Sequence, residues 1–302
     1  MVEPRRGVIP PQPRRPERRR PHARTIWRRR LVALGVLLAA LIGLGFAIAG
    51  VRDSDEKQPA TTAVAAPRPF RIIFPEGFTR LDMADRVASV AKIAERERGR
   101  TPRLSERGYL LATSGKRVLP GFGRRPLEGF LFPATYQFTA RTTSARLAAS
   151  QLKAFQRNWR SINLAYARSK NLTPYDVLTI ASMVEKEAVA PEERPKIARV
   201  IYNRLHDGMT LGIDATIRYA FRVPGTESLR RSQLESDNPY NTRNHAGLPP
   251  TPIANPGLAS IQAAAHPIEG KWLYFVRKPD KVHHFFTASE TEFINYKNAH
   301  GF

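Results

Sequence analysis

The segment from Leu172 to Ala188 constrains this chain more than any other. Thr173, Pro174 and Asp176 spell a helix start. The threonine caps first-turn amides, proline fits the first helical position, and the aspartate bonds back in a capping box. At about 100° per residue, Val177, Ile180, Ala181, Val184 and Ala188 fall on one apolar arc, so this helix lies against a core. Lys186 points away from that arc into solvent. Glu185 sits at one margin, beside Leu178 and Ala181, and Glu187 at the other, beside Ile180 and Met183. A carboxyl half-sunk in apolar surroundings has its charged form disfavoured and can serve as a general acid. The same position suits a glutamate that snorkels to water or pairs with an arginine. Helical geometry alone does not choose between them.

The N-terminal end sets the topology. Residues 1–30 hold eleven arginines against two glutamates, with six prolines, a composition that cannot bury a core and reads as a disordered basic tail. Leu31 to Gly50 follows, twenty residues without a charge, the length needed to cross about 30 Å of hydrocarbon. Arg28, Arg29 and Arg30 abut its start, while the charges just after it nearly balance. The positive-inside rule then places the tail in the cytoplasm and everything after residue 50 outside, in a single-pass cell-membrane protein. Ala47-Ile48-Ala49 resembles a signal-peptide cleavage site, but the apolar run exceeds the usual 7–15 residues of such signals, so an uncleaved anchor is expected.

The net charge of +23 does not make this a nucleic-acid protein. Much of it lies in the tail, which suits anionic lipid headgroups, and the rest shows no basic stripe or nucleic-acid motif. With no cysteine there is neither a disulfide framework nor thiolate chemistry. Phosphate-loop, zinc-protease and serine-elbow motifs are missing too. His283 and His284, adjacent on an expected strand, face opposite ways and make a poor metal pair. No metal or cofactor is expected, and carboxylates are left to carry the chemistry.

Residues 51–67 read as a linker. A strand over 68–74, a Pro75-Glu76-Gly77 turn and a helix over 80–98 form a small α+β module, with Leu81, Ala84, Val87, Ala88, Ala91 and Ile93 facing inward. Helical spacing continues over 146–168, where Leu147, Leu152, Phe155, Trp159, Ile162 and Tyr166 are read as core, and over 192–206. A loop rich in Asn and Pro runs from 235 to 254, long enough to be functional, and Asn255-Pro256 caps and opens a helix reaching Ala265. Residues 272–276 and 283–286 form a hairpin, and Ser289-x-x-Glu292 starts a last helix. The aromatic run from Leu127 to Phe138 is either a buried β-segment or a wall for sugar stacking.

Several segments together resemble, in order, the YceG-like family of endolytic murein transglycosylases. They are Leu127-Glu128-Gly129-Phe130-Leu131-Phe132-Pro133, Ala181-Ser182-Met183-Val184-Glu185-Lys186-Glu187, Ile201-Tyr202-Asn203-Arg204-Leu205, Asp214-Ala215-Thr216, Tyr240-Asn241-Thr242, Gly247-Leu248-Pro249-Pro250 with Ile253-Ala254-Asn255-Pro256-Gly257, and Ala263-Ala264-Ala265-His266-Pro267. This chain departs from the family where Asp-Pro-Thr reads Asp214-Ala215-Thr216, and where a closing Glu-His reads Glu292-Phe293. The resemblance implies an α+β fold: the anchor, a LysM-like module with its connector over 68–126, and a mainly helical catalytic domain with short strands over 127–302. It places the family's catalytic glutamate at Glu185. It further implies cleavage of the β-1,4 bond between N-acetylmuramic acid and N-acetylglucosamine of peptidoglycan strands, giving 1,6-anhydro ends. Tyr240, Asn241, Thr242 and Asp214 are the expected substrate contacts, with loop-stiffening hydrogen bonds as the alternative for the loop residues. Glu187 and Glu128 are expected in support. Peptidoglycan, membrane lipids around 31–50 and peptidoglycan synthases are the implied partners. A non-catalytic, membrane-anchored peptidoglycan-binding scaffold is the alternative function.

Overall fold

The structure is a computed structural model and describes residues 69–99 and 101–301. Strand β1 (Phe70–Ile73) leads through the Pro75-Glu76-Gly77 turn into helix α1 (Arg80–Arg98). A short helix α2 (Glu106–Ala112), the hairpin of β2 (Lys116–Leu119) and β3 (Gly123–Pro126), and strand β4 (Thr135–Phe138) follow. Next come α3 (Ser144–Trp159), α4 (Ala165–Ser169), α5 (Pro174–Glu187), α6 (Arg194–His206), α7 (Asp214–Phe221) and the single turn α8 (Arg231–Leu234). Helix α9 (Leu258–Ala265), the hairpin of β5 (Tyr274–Arg277) and β6 (His284–Thr287), and α10 (Glu290–His300) complete it. Three two-stranded antiparallel sheets set among helices make the described part α+β, as expected. No helix among the described residues is long and apolar enough to cross a membrane. The basic tail, the anchor at 31–50 and the linker lie outside the described residues.

Helix α5 is the axis. The threonine start works as the sequence predicts: Thr173 Oγ1 accepts from the Asp176 amide at 3.2 Å, and the Asp176 carboxylate accepts from the Thr173 amide at 2.8 Å. The expectation of one apolar arc is too narrow, because every residue from Val177 to Val184 is buried. Helices α6 and α9 pack along α5, and the loop before α9 covers the face that carries Thr179 and Ser182. Those hydroxyls tolerate burial because each is bonded. Thr179 donates to the Tyr175 carbonyl at 2.9 Å, while Ser182 donates to that of Thr179 at 2.7 Å and accepts from the Ile253 amide at 3.0 Å. Leu178, Ile180 and Met183 are fully buried, each adding roughly 1.5–3 kcal/mol of apolar transfer.

Strand β1 pairs antiparallel with β4 (Phe70 opposite Phe138, Ile73 opposite Thr135), α1 packs on α2 and α2 on α3, and the described residues fall in one compact unit. In α1 the buried face is Met83, Ala84, Val87 and Ala94, whereas Ile93 is exposed. Eleven residues are close to three helical turns, so Ala94 returns to the side of Met83 and Ile93 lies about 80° off it. The helix expected over 146–168 is two helices. Between them Ser161 donates to the Asn158 carbonyl and Asn163 accepts from the Ala165 amide at 2.9 Å, local bonds that compete with helix continuation. The aromatics of this stretch are core, as read. Phe155 and Trp159 meet Phe122, and Phe155 meets Phe130, at centroid distances of 4.9–5.7 Å. Helix α7 and the β2–β3 hairpin have no counterpart in the sequence reading.

Urea unfolding should show Thr173→Ala less stable by about 1 kcal/mol, through loss of the capping box. The same measurement should show Phe130→Ala less stable by about 3–5 kcal/mol, through a core cavity. Equal and small effects would contradict this packing.

Candidate active site

Glu185 sits in the last turn of α5, its side chain 7 % exposed. Its Oε2 accepts from the Gly257 amide at 2.9 Å, and its Oε1 lies 3.8 Å from Arg194 Nη2. Arg194, first residue of α6, is itself held by Ser260 Oγ of α9 at 3.1 Å. Three helices thus converge on one carboxyl, and an amide and a guanidinium fix where it points. Lys186 is exposed, as expected, and its Nζ donates to the Gly77 carbonyl at 3.3 Å. A cleft of about 500 Å³ opens beside the group, lined by Asn163, Pro191, Arg194, Gln262 and His266 among others. Arg194 is the link, since Glu185 itself is not among the lining residues.

Gly257 is placed by Asn255. The sequence reading made Asn255 a helix cap, but Gly257 stands at that position and the Asn255 side chain is wholly buried in other work. Its Oδ1 accepts from the Leu131 amide at 2.8 Å, and its Nδ2 donates to the Phe78 carbonyl at 3.0 Å and to Glu128 Oε1 at 2.8 Å. Glu128 also accepts from the Arg80 amide at 2.9 Å and from the Tyr219 hydroxyl at 3.2 Å. Burial pushes the Glu128 carboxyl up to about 7, against the lowering effect of these donors. Buried away from solvent, it ties α1, α7 and the Asn255 loop together. Gly129 beside it has φ +88°, and a Cβ there would stand 2.7 Å from Pro252, so this backbone excludes any larger residue.

Glu187 leaves α5 on another side, where its neighbours are Arg277, Asp214, the Ala215 amide and Arg218. Asp214 pairs with Arg243 at 2.7 Å. Neither carboxyl touches the Gly257–Arg194 pocket of Glu185 in the described contacts. Asn241 and Thr242 are buried. Asn241 Nδ2 donates to the carbonyls of Leu234 and Ser236, and Thr242 Oγ1 accepts from the Ile213 amide at 3.0 Å. Both side chains thus bond backbone groups of this loop and of the neighbouring Ile213. Tyr240 is half-buried, its hydroxyl 2.7 Å from Thr251 Oγ1 and its ring 5.3 Å from that of Tyr219. The aromatic run 127–138 is buried from Leu127 to Leu131 and becomes strand only at β4. His284 is buried against Glu193 at 2.7 Å while His283 meets Asp280, so the two do face different partners. No cluster of metal-ligating side chains occurs among the described residues.

Sequence reasoning missed Glu76, Arg194 and Gly257. The Glu76 carboxyl lies against Gly257, and Glu76 is held above the usual carboxylate range first by burial and then by the charge of Glu185, with Arg194 opposing. Its one sequence signal was a glutamate inside a Pro-Gly turn, which by itself reads as punctuation. Glu187 offers a test of the electrostatics. Burial, with Asp214 adding to it, lifts its carboxyl from 4.5 to about 7 in the folded chain. Protonation therefore favours folding, and this contribution is complete below about 4.5 and lost as pH rises through about 7. Glu187→Gln mimics the protonated form. Its stability relative to wild type should rise between about pH 5 and about pH 8 in urea unfolding, and a difference that does not change with pH would contradict the assignment.

The YceG-like family model matches residues 52–299. An endolytic murein transglycosylase of Bacillus subtilis is 40% identical over 158 residues, covering 51% of this chain and 43% of that protein. One of Streptococcus pneumoniae is 40% identical over 157 residues, covering 51% of this chain and 28% of its own length. The chain thus spans less than half the length of these relatives. The crystal structure of a YceG-like protein of Listeria monocytogenes superposes with a TM-score of 0.61 at 28% identity, covering 74% of this chain and 75% of that one. A family-model match over most of the chain, together with the shared fold, makes this protein a member of the YceG-like family.

Proposed function

We propose that this protein is an endolytic lytic transglycosylase that cuts the β-1,4 bond between N-acetylmuramic acid and N-acetylglucosamine within peptidoglycan strands. The observation that carries the reading is the Glu185 carboxyl, held by the Gly257 amide and Arg194 at the side of an open cleft. Relatives named endolytic murein transglycosylases support the choice of substrate.

Protonated Glu185 donates to the leaving glycosidic oxygen as the bond to C1 breaks. It then takes the proton from the C6 hydroxyl of the muramoyl residue as that oxygen closes on C1, leaving a 1,6-anhydro end. A nucleophile carried by the substrate is already near the reacting carbon, so the second carboxylate that water-using glycosidases require for activation is dispensable. Glu187 and Asp214 support the fold around the site rather than the reacting atoms. Residues 31–50 anchor the chain in the cell membrane with the tail in the cytoplasm. Residues 68–126 serve as a LysM-like module, and the site faces the wall, where it trims or terminates strands made by peptidoglycan synthases. No cofactor enters the scheme.

Digestion of purified peptidoglycan, with products analysed by mass, tests this. Wild type should release anhydro-ended fragments, and Glu185→Gln should lower the rate by at least about 10²–10⁴-fold with an unchanged unfolding midpoint. Full activity in the variant would remove Glu185 from the chemistry. Ends one water heavier would mean a hydrolase, and glycan binding without any cleavage would leave a scaffold.

A further inference from the structure

Gly257 is wedged between two carboxyls. On one side its amide donates to Glu185 Oε2 at 2.9 Å. On the other, a Cβ added to it would overlap the Glu76 carboxyl, with Oε2 at 2.7 Å and Oε1 and Cδ closer still. Glu76 is held there by backbone bonds on either side of Asn255: the Gly77 amide donates to the Asn255 carbonyl at 3.0 Å, and the Asn255 amide to the Phe78 carbonyl at 2.9 Å. The same turn meets Glu185 directly, since a Cβ on Gly77 would stand 3.5 Å from Glu185 Cγ. Glu76 is exposed whereas the Glu185 side chain is 7 % exposed, so the turn opens to solvent with Glu185 beneath it.

We propose that Glu76 is the second carboxyl of this site, a positioning residue that acts through Glu185 by keeping one proton on the pair. The proposal rests on the acid role given to Glu185 above. Two carboxylates face one guanidinium, Arg194, so full ionisation leaves an uncompensated negative charge in a partly desolvated place. Lys186 is a further cation packed on the turn, and its ammonium goes to the Gly77 carbonyl, Arg86 lies over the Phe78 ring, and His266 lines the cleft that Arg194 shares. The upward displacement of the Glu76 carboxyl, caused by burial and then by Glu185, agrees with a shared proton. Glu76 forms and breaks no bond to substrate. A general acid must be protonated before it can donate, and a carboxylate beside it opposes a second negative charge on the pair. A carboxyl supplied by the β1–α1 turn thus couples the N-terminal strand and helix to the catalytic helix.

The test is glycan cleavage against pH by the full-length chain as wild type, Glu76→Gln and Glu76→Asp. The glutamine keeps the shape and removes the charge. Its alkaline limb should move down by about one pH unit, with kcat at neutral pH about tenfold lower and KM little changed. Aspartate should restore part of the alkaline limb. A uniform fall at every pH without a shift, or no change at all, overturns the proposal. Should Glu76→Gln fail to fold, carbon-13 NMR titration of Glu76 in wild type and Glu185→Gln decides. The Glu76 midpoint should fall when Glu185 loses its charge, and an unmoved midpoint overturns the pairing. If wild type cuts no glycan at any pH, the activity reading fails, and the titration still tests the pair.

Discussion

The buried side-chain amide of Asn255 is the interaction on which the rest of the site depends. It bonds the Leu131 amide, the Phe78 carbonyl and Glu128 at 2.8–3.0 Å, joining segments more than a hundred residues apart in sequence. An amide has one acceptor and two donors to satisfy, and here each is matched. Such a network has one low-energy arrangement, because any slip leaves buried polar groups unpaired at about 1–3 kcal/mol each. The backbone on either side of Asn255 is therefore fixed in register with the β1–α1 turn, and Gly257, two residues on, is delivered to Glu185.

That delivery explains why a long loop can serve a precise site. Residues 235–256 contain no regular element, yet Asn241 and Thr242 are buried and bonded to backbone. Prolines limit the freedom of the remainder, and Gly129 allows Pro252 to close over Leu178 without a Cβ in the way. Polar bonds do here what strands do in a sheet. The apolar weight is carried elsewhere, by α5, α6 and α9 and by the Phe122, Phe130, Phe155 and Trp159 cluster.

Where an element is defined by local signals, the sequence is readable. The capping box at Thr173 and the helix from Arg80 to Arg98 are where spacing and caps put them, and the last helix starts at Ser289 as its cap predicts. Burial around α5 is not readable, because a helix covered on all sides looks amphipathic when only its largest apolar residues are counted. The site divides in the same way. The family motifs single out Glu185, which its helix alone does not, while the burial of Asn241 and Thr242 is set only by tertiary contacts. Glu76 and Asn255 lie 179 positions apart, and nothing in either segment alone says that they meet. A turn glutamate and a loop asparagine acquire roles only from chain closure.

The central claim is that the Asn255 network places Gly257, and with it Glu185, in working geometry. The most direct measurement is the turnover of purified glycan strands by Asn255→Ala, at a temperature where the variant is still folded by circular dichroism. Loss of the amide frees the loop without touching Glu185 or Glu76. The account predicts a fall in kcat of about a hundredfold, the scale set by an ångström of misplacement at a reacting group. A folded Asn255→Ala that turns over glycan at the wild-type rate would contradict it.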